Sequence, residues 1–328
     1  MMDRQMPDAD TIRSAVSLAL RAPSVHNTQP WLWRIGDESI NLYADRSLHL
    51  RHTDPDQRDL ILSCGAALQH MRVALAALGW RSEVHRLPNP ADKDHLASLV
   101  LHRHHPNEKD VALAAAIPRR RTDRRHYGAW PVPPQYLSRL AQCAEDEGVV
   151  FRVLESRGRF AELITDAAAI HTTDSAYQAE LATWSGRHGS PDGVPSHNAP
   201  IAEITAEGIS ARQFAWPALA PAPGTDAASD EAEVVMLTTA SDDVLSRLRA
   251  GEASSAVLLE STVLGLASCP ITEPLEVRST REQVQSDVLH DSGVPQIAIR
   301  VGWAHINADP LPATPRRPVD DFIRPLGS

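Results

Sequence analysis

Apolar positions along the chain recur at two spacings, and the switches between them mark its elements. Three- and four-residue spacing predicts helices over residues 11–22, 59–78, 134–144, 159–183 and 254–264. Shorter runs rich in Val, Ile, Leu and Trp predict strands over 31–35, 39–44, 83–87 and 97–102, and again over 151–154, 233–238 and 296–301. Strands mixed with longer helices imply an α+β fold, helices packed around mixed sheets.

The pattern repeats. Gly65 opens an Ala/Leu-rich helical stretch that closes at Gly79-Trp80, and Gly251 opens one of equal length that closes at Gly265-Leu266. The trailing glycine suits the left-handed position past a helix end, and the small residues let backbones approach closely. A helix followed by a strand also recurs, 11–22 with 31–35 and 134–144 with 151–154. The helix–strand pairs are offset by about 120 residues and the glycines by 186, which fits duplication plus an insertion in the second copy. The halves are then 1–115 and 116–328. The insertion falls at 184–230, where glycines and prolines from Gly186 to Gly224 break regular structure. Trp184, Phe214 and Trp216 give it apolar surface to pack with, and it reads as a lid.

Composition narrows the class. A chain of 328 residues, 42% hydrophobic and 23% charged, has ample material for a globular core. Its net charge of −10 argues against nucleic acid or an anionic membrane as a partner. No apolar run reaches the ~18 residues of a membrane span, and the polar stretch from Met1 to Asp10 is unlike a secretory signal. Cys64, Cys143 and Cys269 are odd in number and far apart, so reduced thiols in a cytoplasmic protein are expected. His102, His104 and His105 lie beside Arg103 and Pro106 with no carboxylate or cysteine near them in sequence, which favours a solvated loop over a metal site. Phosphate-loop, dinucleotide-loop and His-Glu-x-x-His patterns are absent.

Three segments carry candidate chemistry. Residues 22–34 read Ala-Pro-Ser-Val-His-Asn-Thr-Gln-Pro-Trp-Leu-Trp-Arg. Pro23 fixes a turn, and Ser24, His26, Asn27, Thr28 and Gln29 crowd polar groups into it. The residues alone leave open an ordinary helix end or a turn that meets a ligand rich in hydrogen-bonding edges. Residues 118–127 read Pro-Arg-Arg-Arg-Thr-Asp-Arg-Arg-His-Tyr, five arginines in seven positions of an acidic chain. A solvated basic loop, a phosphate site and a nucleic-acid patch all remain open there, since arginine forks match phosphate oxygens. Pro315-Arg316-Arg317-Pro318 adds a basic pair on what by default is a disordered tail.

The first segment closely resembles the Pro-Ser-x-x-Asn-x-Gln-Pro-Trp turn of the nitroreductase family, and the chain is most similar to the fused, lidded, Acg-type actinobacterial branch. The resemblance implies that Pro23, Ser24, His26, Asn27 and Gln29 contact FMN; for His26 a turn-stabilising role stays open. The second segment resembles the family's Arg-Arg-Ser-x-Arg signature, which grips the FMN phosphate. Arg120, Arg121, Thr122 and Arg124 match it, with one extra residue before Tyr127 that leaves Arg124 and Arg125 as competing registers. The third resembles the family's closing basic element and implies that Arg316 and Arg317 return to the phosphate. Residues 265–273 resemble the strip facing the isoalloxazine and add Pro270, Ile271 and Thr272 as cofactor contacts.

Family members are dimers whose sites draw the turn from one subunit and the arginines from the other. Here the turn occurs only in the first half and the arginine element only in the second. The resemblance therefore implies a nitroreductase-like monomer that mimics a dimer, with one FMN per chain; further homodimerisation stays open. It implies a NAD(P)H-dependent oxidoreductase reducing nitro compounds or quinones, with the chemistry on FMN and no catalytic side chain. The alternative is a flavin-sequestering protein with little turnover. Small molecules and NAD(P)H are then the expected partners, with no metal.

Overall fold

A pair of long helices, crossing where each carries a glycine, holds two sheets together. The computed structural model describes residues 6–186, 189–201, 209, 211–222 and 230–327. The first part runs α1 (Ala9–Ala19), β1 (Trp31–Ile35), β2 (Ser39–Ala44), α2 (Arg58–Ala77), β3 (Trp80–Arg86), β4 (His95–Arg103) and α3 (Glu108–Ala116). The second runs α4 (Pro134–Glu145), β5 (Val150–Val153), α5 (Arg157–Thr173), α6 (Ser175–Trp184), β6 (Glu233–Thr239), α7 (Val244–Val263), β7 (Ala267–Ile271), α8 (Glu273–Glu276), α9 (Arg278–Gln283) and β8 (Val294–Gly302). A last strand, β9 (Ile323–Pro325), follows.

The sheets have orders β3-β4-β2-β1-β9 and β5-β6-β8-β7. Every pairing is antiparallel except β1 with β9, so the closing strand lies beside a strand nearly 300 residues earlier. Helix α2 packs on the first sheet and α7 on the second, and the two helices pack on each other along most of their length. The reason is local. A Cβ at Gly65 would lie 2.1 Å from the Leu248 carbonyl oxygen, and a Cβ at Gly251 would lie 2.1 Å from that of Leu62. The two contacts are reciprocal, and only glycine permits either. Around them Leu62, Leu248 and Leu258 close apolar cores that continue into both sheets. A buried ionic knot adds to the join: Glu252 of α7 accepts from Arg72 of α2 at 3.0 Å and from Arg86 of β3 at 2.7 Å.

Most predicted elements form near their expected positions, with informative exceptions. The helix expected over 159–183 is two, broken at Asp174, whose extended backbone lets its carboxylate accept from Ala176 and Tyr177 N–H and start α6. The helix expected over 254–264 begins ten residues earlier at Val244, where the Asp243 carboxylate accepts from Ser246 N–H. The membrane expectation needs correcting: α2 has the length and hydropathy of a span, but 78% of that window is buried inside the fold. His104 does have a carboxylate neighbour, Asp110 at 2.8 Å, and His102 lies 3.5 Å from Glu83. In the insertion, Phe214 is buried as expected, but Trp216 is 76% exposed. Pro223 and Gly224 of that stretch lie outside the described residues. The three thiols are free, with Cys64 and Cys269 buried and each pushed up by burial, so none is poised as a thiolate.

Candidate active site

The turn after α1 is held in an unusual backbone. His26, Asn27 and Gln29 all have left-handed φ, at 42°, 55° and 55°. For non-glycine residues each such conformation costs of order 1 kcal/mol and persists only where neighbours fix it. The neighbours are specific. Gln29 N–H donates to Ser24 Oγ at 3.0 Å, Thr28 Oγ1 to the Val25 carbonyl at 2.9 Å, and Val25 N–H to Ser63 Oγ of α2 at 3.0 Å. Asn27 Nδ2 donates to the carbonyls of Gly193 and Pro315, at 3.1 and 3.2 Å. Gln29 Nε2 donates to the Pro191 carbonyl at 3.0 Å while its Oε1 accepts from Arg317 N–H at 3.0 Å. Asn27 and Gln29 are thus clamps that tie the turn to the insertion and to the C-terminal segment.

The arginines divide by what they touch. Arg125 forks onto the Asp123 carboxylate at 2.8 and 2.9 Å, whereas Arg124 takes no part in that pair. Arg316 gives hydrogen bonds to the carbonyls of Leu20, Arg21, Ala22, Thr314 and Pro315, capping the end of α1. Arg317 bonds the carbonyls of Thr28 and Gln29, and Arg121 those of Pro118, Arg120 and Leu311. Arg120 is different. It is buried, and among the described residues its one side-chain bond is a long 3.4 Å contact to Thr122 Oγ1 and its Nε has no partner. Burial, reinforced by Arg121 and Arg124, pushes its guanidinium down to about 10. Arg316 falls to about 9 through burial and then Arg120. Buried Arg120 and half-buried Arg316 are within electrostatic reach of each other, and neither is paired with a carboxylate among the described residues. With Arg120 and Arg125 both buried, the cluster is not an exposed basic face.

Between the turn and the arginines lies a cavity of about 1020 Å3, counted out to its open mouth. It is walled by Pro23, Ser24 and His26 of the turn, Thr122 and Arg124, and Pro270, Ile271 and Thr272 at the end of β7. Those predicted residues are brought together. Asn27, Gln29, Arg120, Arg121, Arg316 and Arg317 are not among the cavity's lining residues. Pro270 is accommodated because β7 is an edge strand with no neighbour on its far side. Arg124 donates to the Asn198 carbonyl at 3.1 Å and lies over the Phe214 ring at 4.9 Å, so the insertion forms part of the wall.

Several cavity residues were not foreseen. Asp59, Leu62, Ser63 and Ala66 come from α2, Ser254 and Leu258 from α7, Arg212 and Phe214 from the insertion, and Arg300 from β8. Arg300 carries a legible signal, a lone charge inside the apolar run of 297–301. Asp59 carries none, because an acid in a first helical turn reads as a dipole partner. Arg212 ion-pairs with Glu276 and donates to His26 Nε2 at 2.8 Å. A guanidinium only donates, so Nε2 holds the lone pair. Burial, with Arg212 and then Arg124, keeps the imidazole well below its usual range and therefore neutral. Its proton then sits on Nδ1, which is buried without a partner. Burial, with Asp54 and then Glu276, likewise raises Asp59 well above the usual carboxylate range.

No family model matches the chain. A Mycobacterium tuberculosis protein named "Putative NAD(P)H nitroreductase Rv3131" is 50% identical over 322 residues, covering 98% of this chain and 93% of its own length. The chain belongs to the nitroreductase family. A second family member from the same organism, "Putative NAD(P)H nitroreductase acg", is 36% identical over 330 residues, covering 97% of this chain and 98% of its own. Among solved nitroreductase structures, one named as a "putative nitroreductase" from Anabaena variabilis superposes with a TM-score of 0.49 at 11% identity. It covers 92% of this chain and 90% of its own.

Proposed function

We propose that the cavity holds one FMN and that the protein is an NAD(P)H-dependent oxidoreductase acting on nitro compounds or quinones. The observation that carries this reading is the Arg120 guanidinium, buried without a carboxylate and with an orphaned Nε beside a cavity-lining Thr122. A phosphate monoester supplies the missing charge and acceptor oxygens. Arg316 contributes charge alone, since its bonds are spent on carbonyls. Arg124 and the His26 Nδ1–H offer donors along the remaining wall, and the β7 end offers backbone to a planar ring. Bound there, FMN supplies a two-electron relay between NAD(P)H and the acceptor. The side chains bind, orient and exclude water; no nucleophile is needed.

One observation favours a second reading, in which the protein sequesters flavin with little turnover. Phe214 of the insertion lies under Arg124 and meets the His26 ring edge-on at 5.8 Å, narrowing the cavity where a nicotinamide would enter. Anaerobic mixing of the yellow protein with NADPH or NADH separates the two. Prompt bleaching of the flavin band supports turnover. Bleaching by dithionite but by neither nucleotide supports sequestration, and a colourless protein that takes up no FMN defeats both.

A further inference from the structure

Resting on the oxidoreductase reading, we propose that Asp59 is the proton donor of the reaction, passing its carboxyl proton to the acceptor's oxygen as hydride arrives. The carboxyl lines the cavity and is 5% exposed. It has no side-chain hydrogen bond among the described residues, and Oδ2 is fully buried without a partner. Its backbone carbonyl accepts from Ser63 Oγ, which pins the first turn of α2 behind the flavin-type turn. Helix α2 also serves as a ruler. His70, within electrostatic reach of Arg120, lies eleven residues further along α2, so Asp59 and His70 stand ~16 Å apart along the helix axis. Asp59 itself is within electrostatic reach of Arg212 and Glu276, the pair that holds His26 through Arg212.

The charged groups that face Asp59 keep its proton in place. Asp54 precedes α2 and Glu276 comes from α8, both acidic; Arg58 on its own helix and Arg212 from the insertion oppose them. Arg58 is committed to Asp242 and Arg212 to Glu276, so burial and the two acids prevail. His26 is the weaker candidate, because the N–H of a neutral imidazole holds its proton far more tightly than a carboxyl does. The step balances. For a quinone, hydride from the reduced flavin gives the hydroquinone monoanion. The Asp59 O–H bond breaks as the second hydroquinone O–H forms, and the carboxylate regains a proton from solvent at the cavity mouth. For a nitro compound, one N–O bond breaks and the departing oxygen leaves as water carrying the hydride-derived hydrogen and the Asp59 proton, so the nitroso product remains.

The test compares wild type with Asp59→Asn, in the full-length protein as purified. Difference infrared spectra near neutral pH should contain a protonated-carboxyl band in wild type that the variant lacks. After anaerobic reduction by dithionite, mixing with a quinone should reoxidise the variant about 100-fold more slowly or worse. Ferricyanide, which takes electrons without a proton, should reoxidise both at the same rate. Absence of the band, unchanged quinone reoxidation, or equal slowing with both acceptors each overturns the assignment. Dithionite bypasses the nucleotide, so a protein unreactive to NADPH still tests Asp59. Wild type that takes up no flavin defeats the underlying reading and this inference with it.

Discussion

At the scale of single residues, the site stores an electrostatic debt in its empty form. Arg120 is a cation without a counter-charge in a buried place, where isolated charges are costly. Replacing it with methionine should therefore raise the melting temperature of the flavin-free protein while lowering flavin retention on dialysis; a mere packing residue would lose stability in both forms. Arg124→Ala should also lower retention. Asp54 gives a pH signature. Burial raises its carboxyl to about 6, against partial relief from Leu60 and Asp59 N–H donors. A carboxyl raised on folding costs stability as pH climbs from its unfolded value through its folded one. Asp54→Asn, which keeps an acceptor for Leu60 N–H, should therefore raise the melting temperature above pH ~6 more than near pH ~4. A constant difference across that range would refute the assignment.

At the scale of elements, the crossing of α2 and α7 is the joint on which everything else is set. Both helices contribute cavity wall within a turn or two of their glycines: Leu62, Ser63 and Ala66 beside Gly65, Ser254 and Leu258 beyond Gly251. Gly65→Ala or Gly251→Ala should destabilise by about 3 kcal/mol, since the added methyl meets backbone that cannot rotate away; thermal unfolding reads the loss, and a change below 1 kcal/mol would refute the contact. These glycines were legible in sequence because equal spacing marked them. The turn and the arginine cluster were legible as well, through residue order. What sequence hid was division of labour. Nothing in the string separates Arg120, left unpaired, from Arg125, claimed by Asp123, or tells that Asn27 and Gln29 face the insertion rather than the cavity. The Asn27 and Gln29 assignments depend on segments 162 to 288 positions away. The break at Asp174 was hidden by an apolar period that runs through it, and β9 by its brevity.

At the scale of the whole molecule, three distant segments meet at one turn: residues 24–29, the 191–193 stretch and the 315–317 stretch. On the proposed flavin site, the insertion would bear on flavin holding as well as on access. Phe214→Ala should speed anaerobic bleaching by NADPH if the ring obstructs the nicotinamide; unchanged rates would assign Phe214 to packing alone. Chain order adds one more consequence. β9 completes the first sheet by lying along β1, and Arg316 caps α1. α1 and β1 are synthesised nearly 300 residues before the segment that completes them. Until that segment emerges, β1 presents an open sheet edge to the rest of the nascent polypeptide, a template for mispairing.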